Sequence, residues 1–249
     1  IVSVLLREFA MDVNARSNTG QTPLHYAAQN HHYHLVLSLL SLHGANVNAV
    51  DNSGQTILFY NLDPQHMDTL VSIFEINTEI ENAQGYTALQ QCVMDENILQ
   101  VQGLISKCFA EVDVFNVKTY SPLSLAIMRN NMEIAQLLLD QSNPDVNLES
   151  SEQGVSPLHL AAQHGGTEML RLLVHAGAKT QCRDIHKNTP MFYAVRNTRN
   201  AQGDVLEYLL GLRDVDVNTR NQAGETAILV AVKQGTLQAL NILCEHGAD

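Results

Sequence analysis

Four histidines fall within ten residues, His25, His31, His32 and His34, and converging imidazoles are a route to zinc or copper. No cysteine or carboxylate stands at ligand spacing beside them to complete a site, so no metal is expected. His25 and His159 occupy the same place in two similar segments, TPLHYAA and SPLHLAA, where a side chain bonding neighbouring backbone is the structural reading. The cysteines, Cys92, Cys108, Cys182 and Cys244, come no closer together than 16 residues, which fits neither a CxxC metal pair nor a small disulfide framework. Gly165-Gly166-Thr167 has the composition of a phosphate loop but lies where a turn between two helices is expected. The sequence holds no G-x-S-x-G, HExxH, GxxxxGK[ST] or G-x-G-x-x-G motif, so these residues are read as non-catalytic and free of cofactors.

Composition narrows the class further. The chain has 249 residues, 45% of them apolar, without tryptophan, and no apolar run approaches the roughly 18 to 20 residues of a membrane helix. Scattered cysteines and the lack of any N-x-S/T sequon favour a reducing compartment, cytoplasm or nucleus. The opening IVSVLLREF reads as the second half of an amphipathic helix rather than as a signal peptide, as though cut from a longer chain. Fourteen basic against 26 acidic residues give a net charge of −12, which disfavours nonspecific nucleic-acid binding and anionic membrane surfaces. The charge is uneven: residues 51–170 hold 3 basic and 16 acidic side chains, whereas 171–199 hold Arg171, Lys179, Arg183, Lys187, Arg196 and Arg199 against Asp184 alone.

The elements that must position these residues repeat. TPLHYAA, TILFYNL, TALQQCV, SPLSLAI, SPLHLAA, TPMFYAV and TAILVAV begin at 22, 56, 87, 121, 156, 189 and 226, so successive spacings are 34, 31, 34, 35, 33 and 37 residues. A Thr or Ser before Pro starts a helix, the hydroxyl capping while Pro sits in the first turn. In the fifth copy Leu158, Ala161 and Ala162, then Met169, Leu170, Leu172 and Leu173, recur at helical spacing on two segments broken at Gly165 and Gly166. Gly177 ends the second helix, and an extended turn follows. Neither helix, at about ten residues, is stable alone, so the pairs must stack.

A period near 33 with a T-P-L-H-x-A start resembles the ankyrin repeat. The likeness covers essentially the whole chain, with further matches at GANVNA, DVNA, HAGAK and HGAD. It implies an all-α solenoid of helix-turn-helix units with protruding hairpin-like fingers. One array is expected over 1–249: a partial repeat at 1–15, then repeats at about 16–49, 50–81, 82–115, 116–149, 150–183, 184–219 and 220–249. Finger glycines stand at 20, 54, 85, 154 and 224, whereas repeats four and six carry Thr119 and Lys187 there, so those two fingers are expected to turn differently. In repeat two Asn77 is expected to replace the glycine that ends the second helix, and Asp63-Pro64 to start that helix.

The resemblance also implies binding of a protein or peptide along the concave face and fingers. Transferred residue by residue, it places His186, Lys187, Asn188, Arg196 and Asn197 on that surface, with Arg183 and Arg199 adjoining. A basic cluster, a missing finger glycine and an insertion at 196–204 coincide in repeat six, so a recognition patch is expected there. Acidic repeats two to four would attract a basic segment and repeat six an acidic one, mainly by steering. Among Asn14, Asn48, Asn147 and Asn218, which the resemblance marks for asparaginyl hydroxylation, only Asn48 has Leu six residues before it and Ala directly after. Other roles open to such an array are the recruiting arm of an enzyme such as a ubiquitin ligase, an inhibitor-like regulator resembling the NF-kappa-B inhibitors, and a scaffold or cytoplasmic channel domain.

Overall fold

The computed structural model describes residues 12–60, 62–108, 110–114, 120–150, 152–197 and 203–249. The opening segment, Thr119 and Arg199 therefore lie outside the described residues. The chain forms two compact units, one ending at Val112 and the other running from Asp113 to Asp249. In the first, helices α1 (Pro23–Gln29) and α2 (Tyr33–His43) form one pair, a 3-10 turn (Ile57–Phe59) and α3 (Pro64–Ile73) a second, α4 (Ala88–Met94) and α5 (Ile98–Ser106) a third. The second unit holds α6 (Pro122–Met128) with α7 (Met132–Ser142), α8 (Pro157–His164) with α9 (Thr167–His175), α10 (Pro190–Val195) with α11 (Asp204–Leu210), and α12 (Ala227–Gln234) with α13 (Leu237–Glu245). The described residues contain no strand; the fingers are turns.

The pairs bury most of the apolar positions read from the sequence, Leu172 being half-buried. Leu24, Ala27, Ala28, Val36 and Leu39 are buried in the first, and Leu158, Ala161, Ala162, Met169, Leu170 and Leu173 in the fifth. The start signal works in a specific way in repeats one and five. The Thr22 backbone N–H donates to His25 Nδ1 at 3.1 Å, so the ring proton sits on Nε2, which donates to the Gln55 carbonyl of the next finger at 3.0 Å. Ser156 and His159 repeat this arrangement, with Nε2 reaching the Asn188 carbonyl at 3.0 Å. The histidines thus tie a helix start to the neighbouring finger, as their structural reading required.

Repeat two departs from the expected helix pair: in place of its first helix stands a single 3-10 turn, Ile57–Phe59. The chain is already extended at Tyr60, and α3 begins at Pro64, the residue before a proline being disfavoured in helical geometry. The buried Gln100 side chain of repeat three donates to the Leu58 and Tyr60 carbonyls, both at 2.7 Å.

Two expectations about left-handed residues are corrected. Lys187 has φ of 59°, in the range of the glycines at the same place, and its N–H closes the same turn onto Asp184 O at 2.9 Å. Asn77 is not left-handed. Its N–H instead donates to Asn48 Oδ1 at 2.8 Å while Asn48 Nδ2 donates to Glu75 O, the pattern Asn147 makes with Lys179 N and Gly177 O. The glycine's place is therefore taken by Glu75. Gly177, with φ of 93°, ends α9 as read from the sequence.

Candidate functional site

Adjacent fingers are joined backbone to backbone. Asn52 N–H donates to Thr19 O and Ala83 N–H to Ser53 O in the first unit; Ile185 N–H donates to Gln153 O and Gln222 N–H to His186 O in the second. Spacing is tight: a Cβ on Gly20 would lie 2.2 Å from Asn52 Oδ1.

Finger six is built on Asp184, only 6% exposed. Its Oδ1 accepts the N–H groups of His186 (2.9 Å) and Asn188 (2.7 Å), and its Oδ2 accepts Asn188 Nδ2 and Tyr193 Oη, each at 2.9 Å. Burial raises the Asp184 pKa, but the bonds from Asn188, Tyr193 and His186 outweigh it and the net shift is downward. Burial and that carboxylate push the Tyr193 hydroxyl far up. A four-bonded carboxylate also offsets the cost of a left-handed lysine at 187.

Around this framework His186, Asn188 and Arg196 line a cavity of about 360 Å³ together with Asn221, Gln222 and Ala223 of finger seven. His186 and Arg196 are exposed. Asn188 is buried, its Oδ1 accepting Asn221 Nδ2 at 3.3 Å. Arg183 and Lys187 are exposed on the finger but outside the cavity, and Arg199 lies outside the described residues. Asn197 is not on the surface: it is buried and donates from Nδ2 to the Ala162 carbonyl at 3.0 Å, joining α10 to α8. Nothing local in the sequence marks Asn221, Gln222 and Ala223; the register between neighbouring fingers brings them in.

The basic run of the sequence is dispersed in space. Arg171 lies over the Tyr208 ring at 4.8 Å and beside Glu168, on the second-helix layer. Close to the cavity, Glu225 is paired with Lys233 and accepts Asn221 Nδ2, and its pKa is lowered by these bonds and by the charge of Arg196.

A second cavity, about 400 Å³, is lined by His31, His32, Tyr33, His34, Leu35 and His66. Tyr33 stacks on His66 with ring centres 4.2 Å apart. Among the described residues no group of three or more histidine, cysteine or acidic side chains could hold a metal. None of the four cysteines is in a disulfide; burial pushes the Cys92 thiol up to about 12 and Cys182 to about 11, which makes both poor nucleophiles. Gly165 serves packing, since a Cβ there would lie 2.8 Å from the Ala161 carbonyl oxygen. Both ends of the Asn48 amide are bonded within the finger base, and the residue is half-buried. Among the described residues no helix is long and apolar enough to cross a membrane.

Known proteins resemble this chain in sequence and fold. The chain is 29% identical over 123 residues to the human transient receptor potential cation channel subfamily A member 1, covering 49% of this chain and 11% of that one. It is 31% identical over 128 residues to the mouse B-cell lymphoma 3 protein homolog, covering 50% of this chain and 28% of that one. The matched residues thus span less than a third of either relative. The crystal structure of the ankyrin repeat domain of Bcl-3, described as a unique member of the IkappaB protein family, superposes with a TM-score of 0.71 at 30% identity, covering 84% of this chain and 91% of that one. Models of ankyrin repeats match residues 5–60, 61–150, 89–184 and 142–221, and with stacked helix pairs, histidine-tied helix starts and joined fingers already in place, the chain belongs to the ankyrin repeat family.

Proposed function

We propose that these residues form a non-catalytic recognition module that holds a partner protein or peptide along its fingers and concave face, in the cytoplasm or nucleus. The observation that carries this reading is the join between fingers six and seven. Backbone and side-chain bonds fix the two fingers to each other, and His186 and Arg196 stand exposed around a cavity with three residues of the neighbouring finger. Rigid elements presenting uncommitted polar groups bind with little ordering cost. Arg183 and Lys187 extend the cationic surface beyond the cavity, and interfaces of this kind bury about 1,200 to 2,000 Å².

Affinity capture from a eukaryotic lysate tests the proposal. Proteins retained by the native chain should be lost when Arg183, Lys187 and Arg196 are changed together to Glu, and kept when Arg171 is changed. Identical capture by both variants would defeat it. A second reading, a regulator of a transcription-factor dimer, is favoured by the match to the Bcl-3 domain. Purified Rel-type dimers giving no complex at micromolar concentration would end it.

A further inference from the structure

Resting on that reading, we propose that the cavity between fingers six and seven takes a single side-chain carboxylate, Asp or Glu, from an extended partner segment. The lining combines one guanidinium (Arg196), one imidazole (His186) and one primary amide (Gln222), with the Ala223 methyl leaving room at the wall. Arginine and amide donors match a carboxylate, which accepts several bonds at once. The two asparagines of the lining are already engaged: Asn188 with Asp184 and Asn221, and Asn221 with Glu225. They shape the walls and leave the three other groups to the ligand.

Charge selects among anions. Asp184 is buried outside the lining, and its carboxylate is stabilised by four hydrogen bonds from groups of its own repeat. Glu225 is paired with Lys233, its first partner, and interacts with Arg196 only through charge. One lining cation remains, Arg196, which fits a monoanion; a phosphoryl group, carrying about −2, calls for at least a second cation in the wall. Lys187 and Arg183, the other cations of the finger, are not part of the lining. A basic segment would meet Arg196 unpaired and is disfavoured.

The test is a set of capped peptides of sequence Ser-Glu-Glu-Ser, Ser-Gln-Gln-Ser and Ser-phosphoserine-Gln-Ser, titrated into the whole chain while backbone amide resonances are followed. Saturable shifts at Gln222 and Ala223 are expected for the Glu peptide. They should be about tenfold weaker or more for the Gln peptide, and for the Glu peptide with Arg196→Gln or Gln222→Ala, while Arg171→Gln leaves them unchanged. Unaltered resonances elsewhere show that each variant is folded. Equal binding by Arg196→Gln, or stronger binding of the phosphopeptide, overturns the carboxylate assignment. Peptide display on the same protein separates this from the broader reading. Selected peptides lacking Asp and Glu that compete at Ala223 overturn the carboxylate and leave recognition standing, whereas no enrichment over the Arg183, Lys187, Arg196 triple-Glu variant overturns both.

Discussion

Thr22 and Thr226 hold the same place in their repeats and have opposite hydrogen-bonding fates. The Thr22 hydroxyl lies 2.9 Å from His25 Nδ1; the Thr226 hydroxyl is buried with no partner, because Leu229 stands where the histidine would be. Replacing an unpartnered buried hydroxyl by a methyl is close to neutral, whereas breaking a buried bond costs about 1–3 kcal/mol. Thr226→Val should therefore leave the urea midpoint unchanged or raise it while Thr22→Val lowers it; equal losses would contradict this. The histidines add a pH effect of definite sign. Burial holds His25 and His159 below the ordinary 6.5 in the folded state. As pH falls below 6.5 the unfolded chain binds protons that the folded chain refuses, so stability is full above that pH and declines beneath it until the folded pKa is passed. Asp184, lowered from 3.8, acts in a separate and more acid window: its contribution is present above 3.8 and is lost as pH falls through its folded value. Urea titrations between about pH 7.5 and 5 should show the first decline, and the double variant His25→Gln, His159→Gln should flatten it. An unflattened slope would assign the decline to other groups.

At the scale of the element, the sequence made helix pairs legible wherever Thr or Ser, Pro and an apolar spacing coincide, as in α8 and α9. What it concealed depended on donors far along the chain. The truncated helix of repeat two persists because Gln100, some 40 residues on, satisfies the Leu58 and Tyr60 carbonyls. No local pattern announces that. Likewise Lys187 reads as a misfit until the Asp184 network under it is seen, and half of the cavity lining comes from a finger more than 30 residues away. The exposure of His186 and Arg196 was legible because charge and repeat register are local; the burial of Asn197, which the same register placed on the surface, was not, since its bond to Ala162 O follows from the turn of the chain after α10. The Gln100 bonds make a direct prediction. Gln100→Ala leaves two carbonyls without their donor in a buried setting, a loss of about 1–3 kcal/mol. Amide exchange in 51–108 should accelerate far more than in 152–197, because repeat arrays share stability between neighbours. Uniform acceleration in both segments would rule out a local role for this side chain.

For the molecule as a whole, ionic strength acts on folding and on recognition with opposite signs. Twenty-six acidic against 14 basic residues leave a net charge of −12, and 16 of the acids crowd into 51–170 with only 3 cations. Such imbalance destabilises the compact state by self-repulsion. Repulsion between exposed carboxylates falls once the Debye length shrinks from about 30 Å at 0.01 M to about 8 Å at 0.15 M salt. The bonds that order the stack are of another kind. Asn14 to Asn46 N–H, Glu79 to Glu111 N–H, Asp113 to Asp145 N–H and Asn218 to Asp249 N–H are short contacts to backbone, and salt leaves them largely intact. Added sodium chloride should therefore raise the thermal midpoint by about 2 °C, the shift expected for slightly under 1 kcal/mol in a chain of this size. Over the same range the Glu peptide should bind less tightly, since Arg196 meets it at an exposed surface where screening is strong. A midpoint that falls with salt would show that attraction between charges outweighs repulsion in the fold. Peptide affinity indifferent to salt would show that the cavity holds its ligand by something other than the guanidinium.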